Sequence, residues 1–146
     1  MKITQFARTT LVAGMALVAA STATTAHAAP TTSQRHAVAY AAGCPGDGRL
    51  DRNYTCTSLD SGALFHRKYT NDRASTWYKK SGGSSIRARL GYSVNGSNHW
   101  GGWFGQSSGT TKTSSWSGVS YCSASIGMLH VEGQQTFQTP PADCTH

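Results

Sequence analysis

The chain has 146 residues, 13 Lys and Arg against six Asp and Glu, a formal net charge of +7, and four cysteines. The basic excess is modest and scattered, which argues against nucleic acid, where a clustered stripe is needed, and favours acidic protein surfaces or cell-wall polymers. Ten residues from Leu11 to Ala20 form the one long apolar run, too short to span a bilayer as a helix, and nothing comparable follows it.

Residues 1–28 read as a secretory signal peptide. Lys2 and Arg8 give a positive start, the apolar run follows, and Ala26-His27-Ala28 is an A-x-A cleavage site. Removal leaves residues 29–146, with eleven Lys and Arg against the same six acids, and the length of a single domain. Residues 29–43 read as an extended arm. After a polar start, His36, Val38 and Tyr40 alternate with Ala37, Ala39 and Ala41, between Arg35 and Ala42. Small side chains on one side and larger ones on the other suit a strand lent to the edge or cleft of another chain.

Residues 44–146 read as an all-β domain, a small antiparallel sandwich or barrel of seven or eight short strands. Cys44, Cys56, Cys122 and Cys144 are an even set in a secreted chain, so two disulfides are expected. Three connectivities are open, and the ease of closing short loops favours Cys44 with Cys56 and Cys122 with Cys144. No C-x2-C pair is present to suggest zinc.

Period-two alternation predicts strands over Tyr54–Leu59, Ala63–Tyr69, Ser75–Lys80, Ile86–Val94, His99–Gln106, Thr110–Ser117, Tyr121–Val131 and Thr136–Thr139. A short helix capped by Asp60 competes in "DSGALFHRK". The clearest strand is "SIRARLGYSV", with Ile86, Ala88, Leu90, Tyr92 and Val94 on one face and Arg87, Arg89 and Ser93 on the other.

No nucleophile elbow, zinc-protease helix, phosphate loop or dinucleotide fingerprint occurs. The acids Asp47, Asp51, Asp60, Asp72, Glu132 and Asp143 fall mostly in predicted turns, and His66, His99 and His130 combine with too many serines to single out a triad. The chain is therefore read as no enzyme, with no cofactor, no metal and no catalytic residue.

"HWGGWFGQ" holds the aromatic signal. Strict alternation places Trp100 with Phe104 on one face and His99 with Trp103 on the other. In the next strand Trp116 shares its face with Lys112. A simple hairpin over Ile86 to Gln106 brings Trp103 near Arg87 and Arg89, so Arg87, Arg89, Trp103 and Trp116 are the candidate partner-binding residues of the domain.

The alanine-rich leader, the arm, and the domain carrying "RARLGYSVNGSNHWGGWFGQSSGTTKTSSW" and "TFQTPPADC" resemble small secreted actinobacterial β proteins with two disulfides, among them the adaptor subunits of umbrella toxin particles. The resemblance implies a connector used in bacterial competition. Its arm, here Arg35, His36, Ala37, Val38, Ala39, Tyr40, Ala41 and Ala42, would enter a cleft of a lectin-like subunit, and its β domain would dock on a large repeat-containing toxin polypeptide. The alternatives are a stand-alone module for carbohydrate or cell-wall polysaccharide and a secreted protease inhibitor.

Overall fold

The computed structural model describes residues 43–145, so the leader and the arm, including Arg35 to Ala42, lie outside the described residues. Ten strands form in chain order: β1 (Arg49–Asp51), β2 (Tyr54–Leu59), β3 (Gly62–Tyr69), β4 (Arg73–Lys80), β5 (Ile86–Val94), β6 (Ser97–Trp100), β7 (Phe104–Gln106), β8 (Thr111–Ser117), β9 (Ser125–Val131) and β10 (Thr136–Gln138). They build two antiparallel sheets. The first has the order β1-β2-β3-β4-β8; the second runs β10-β9-β5-β6, with β7 pairing β5 as well.

The alternation that marks each strand sorts its side chains between the sheets and the outside. Leu64 and Tyr78 from the first sheet meet Ala88, Leu90, Leu129 and Val131 from the second, and Leu59, Ile86, Phe104, Trp116 and Phe137 pack around them. Beside this core, Ala74, Tyr92 and Val119 form a second buried group. A third lies on the outer face of the first sheet, where Cys56, Phe65 and Trp77 are cross-strand neighbours. There Cys44 packs with Cys56, Ala63 and Phe65, and the Phe65 and Trp77 rings stack at 5.4 Å.

The disulfides are Cys44–Cys56 and Cys122–Cys144, the pairing that loop closure favoured. Two disulfides indicate an oxidising environment. Among the described residues no helix is long and apolar enough to cross a membrane.

Most strand bounds agree with the alternation, and the differences have local causes. The segment "DSGALFHRK" is a turn followed by β3, because Ala63, Leu64, Phe65 and His66 are all buried, a run that fits a strand covered on both faces. The expected strand Tyr121–Val131 starts only at Ser125, since Tyr121 and Ser123 belong to the turn that carries Cys122. The short β1 pairs with β2 across a bulge and carries too few residues to show a period. The expected strand His99–Gln106 is broken in two, with consequences for the aromatic face.

Candidate functional site: an arginine and tryptophan stack

On β5 the odd-numbered residues Arg87, Arg89 and Gly91 point away from the core. Two short strands lie beside them: Gly91 opposes Trp100 of β6, and Ala88 opposes Phe104 of β7. Between those pairs, Arg89 and Leu90 face three residues, Gly101, Gly102 and Trp103, so the edge carries one extra residue. Such a bulge inverts the side-chain faces beyond it.

The consequence is a correction to the alternation. Trp100 and Trp103 lie on the same outer face, with the arginines. Phe104 instead packs against the core, and His99 stacks on Tyr92 at 4.6 Å.

The expected proximity of Trp103 to both arginines is present. The Arg87 guanidinium carbon lies 4.8 Å from the Trp103 ring centre, and that of Arg89 lies 5.0 Å from it. Arg89 also sits over Trp100 at 4.5 Å. Its guanidinium is thus shared between two indoles, and its Nε is buried without a hydrogen-bond partner. The negative face of each indole attracts the cation, at about 0.5–1 kcal/mol per contact near a surface.

Neighbouring strands hold the stack in place. His130 of β9 opposes Arg89 and turns its ring edge toward Trp103 at 5.5 Å and Trp100 at 6.1 Å. Its Nδ1 lies 3.2 Å from the Thr136 hydroxyl of β10. Arg87 pairs with Glu132, both well exposed, so that bridge contributes little to stability while fixing the guanidinium position. Trp103 remains 39% exposed and crowns the face.

Gly91 is required for this arrangement. A β-carbon there would meet the Trp100 ring and the His99 carbonyl oxygen, each at 2.6 Å. Gly91→Ala is expected to push Trp100 away from Arg89 and to lower stability by about 1–3 kcal/mol. A denaturation midpoint read by tryptophan fluorescence checks it, and an unchanged midpoint and spectrum would contradict it.

The other candidates fall elsewhere. Trp116 stands apart from the stack: it is half-buried, packs against the core between the sheets and contacts Tyr92 at 5.0 Å. Counting along one strand gives it the face of Lys112 but not which face the sheet turns inward. Asp47 and Asp51 accept backbone hydrogen bonds from Arg49 and Arg52, as turn residues do.

His66, fully buried, bridges the sheets through Nδ1 to the Thr76 hydroxyl at 2.9 Å and Nε2 to the Ser125 hydroxyl at 2.8 Å. A serine triad places a carboxylate where Thr76 stands and leaves the serine open to substrate. This trio has neither feature.

No protein-family model, curated protein or solved structure matches the chain.

Proposed function

We propose that the protein is a secreted, non-enzymatic adaptor that links subunits of an extracellular complex, of the kind found in antibacterial toxin particles. One docking surface is the outer face of the second sheet; the other is the arm from Arg35 to Ala42. The partners are a large repeat-containing polypeptide for the β domain and a lectin-like subunit for the arm.

The observation that carries this reading is the Arg87, Trp103, Arg89 and Trp100 stack. Tryptophan and arginine are the residues that dominate protein interfaces, and here they are fixed before any partner arrives, which reduces the ordering cost of association. The same geometry disfavours a sugar module. A sugar stacking on Trp103 has to displace the two guanidinium groups already lying against that ring.

The test is affinity capture of the tagged protein from the medium of its own culture, in three forms: intact, lacking residues 31–42, and carrying Arg89→Ala with Trp103→Ala. The arm deletion is expected to lose one partner and keep the other, and the double variant to do the reverse. At interface hot spots each truncation costs about 2 kcal/mol or more, roughly thirtyfold in affinity. Retention of both partners by all three forms, or capture of polysaccharide alone, would sink the reading.

A further inference from the structure

The two sheets part at one end of the sandwich, where the β2–β3 turn, the β4–β5 loop and the β9–β10 turn converge. A cavity of about 390 Å³ opens there. Its walls are apolar, formed by Leu59, Tyr78, Ile86, Val131 and Phe137, and its rim is polar, with Asp60, Ser61 and Ser84. That size lies toward the lower end of ligand sites, about 300–1,000 Å³, and so suits a small molecule.

Lys80 also lines this cavity and is only 1% exposed. Its ammonium donates to the Gly82 carbonyl oxygen. It also lies 3.3 Å from where a β-carbon on Gly83 would stand, a point 2.8 Å from the Ser61 hydroxyl. The ammonium is thus bonded at Gly82 and lies near Gly83, and Lys80, Gly83 and Ser61 all line the cavity.

An ammonium has three protons to donate, and one acceptor accounts for one of them. Among the described residues, no carboxylate lies within 4.0 Å of Lys80. A buried cation without a counter-ion is costly, and an entering anion offsets that cost.

We propose that this cavity binds a small amphipathic carboxylate, its apolar body between the two sheets and its carboxylate on Lys80. Asp60 on the exposed rim disfavours a second negative charge, which selects a monoanion over a phosphate ester. The site is separate from the arginine and tryptophan face, so it stands or falls independently of the adaptor reading.

The experiment is a titration of the full protein with octanoate and with octan-1-ol, the neutral counterpart, followed by calorimetry and by the amide signals of Ile86 and Val131. Octanoate is expected to bind at least about tenfold more tightly than the alcohol, the range of one charge-assisted hydrogen bond. Lys80→Met should abolish that preference. Ser84→Trp, which blocks the mouth without touching the core, should weaken both ligands. Equal binding of octanoate and octan-1-ol, no binding of either, or undiminished octanoate binding by Ser84→Trp would each overturn the proposal. The last arm keeps the test decisive if Lys80→Met fails to fold.

Discussion

Acidification from pH 6.5 to pH 4 is expected to remove about 3 kcal/mol of stability through one residue, His66. Its imidazole is buried between the sheets, and burial pushes its pKa from 6.5 down to about 4, helped by the nearby Lys68 cation. The folded protein therefore keeps His66 neutral while the unfolded chain protonates it near 6.5. Between those two values the unfolded state binds more protons, so stability falls as pH falls; below about 4 both states are protonated and this contribution levels off.

The geometry explains why the ring cannot escape to water. A β-carbon on Gly127 would come within 2.4 Å of the His66 side chain, so the second sheet closes directly over it. Single domains have stabilities of about 5–15 kcal/mol, so a loss of this size is a large fraction. Urea midpoints at pH 6.5 and pH 4 measure it, and His66→Gln separates this group from the carboxylates. The variant should start less stable and lose less on acidification. An equal loss in both proteins would show that other groups carry the acid response.

The second large effect concerns the disulfides. Reducing both is expected to cost about 2–4 kcal/mol for each bridge, enough to approach the whole stability of a domain this size. The bridges do different work. Cys44–Cys56 pins the start of the domain against Phe65 on the outer face of the first sheet. Cys122–Cys144 joins the turn before β9 to the C-terminal segment, whose Ala142 exchanges backbone hydrogen bonds with Ser125.

The turn closed by Cys122 and the start of β9 supply buried polar groups with their partners. Ser123 provides the carbonyl that accepts from the Lys68 ammonium, and Ser125 the hydroxyl beside His66. Replacing Cys122 and Cys144 by Ala loosens the cover over His66 and lets its pKa return toward 6.5, so it should lower the midpoint of unfolding and shrink the further loss on acidification, whereas replacing Cys44 and Cys56 should only lower the midpoint. Measuring both variants at pH 6.5 and pH 4 checks this. Identical acid responses would break the proposed link between the second bridge and the His66 site.

The outer face of the second sheet shows how far residue order alone could be read. An unbroken ladder continued from the Gly91–Trp100 pair would set Trp103 opposite Ala88 on the core face; the extra residue among Gly101, Gly102 and Trp103 turns it outward onto Arg87 and Arg89. Period-two counting separates Trp100 from Trp103 because it assumes an unbroken ladder, and the single extra residue between Trp100 and Phe104 reverses the parity of everything beyond it. The consecutive glycines at 101 and 102 were the available signal of a bulge. Trp116 shows a different limit: alternation says which residues share a face, while only the docking of two sheets says which face is inward.

Local chemistry determined the all-β class, most strand spans and the cysteine pairing, since alternation, turn residues and loop closure act between near neighbours in the chain. Tertiary structure alone decided what depends on two sheets meeting: the burial of His66, Lys68 and Lys80, the cavity at the end of the sandwich, and the sharing of Arg89 between two indoles. A lysine or histidine in a strand carries no local mark of burial, because the desolvation that changes its behaviour comes from residues 50 or more positions away, such as Ser123 and Ser125.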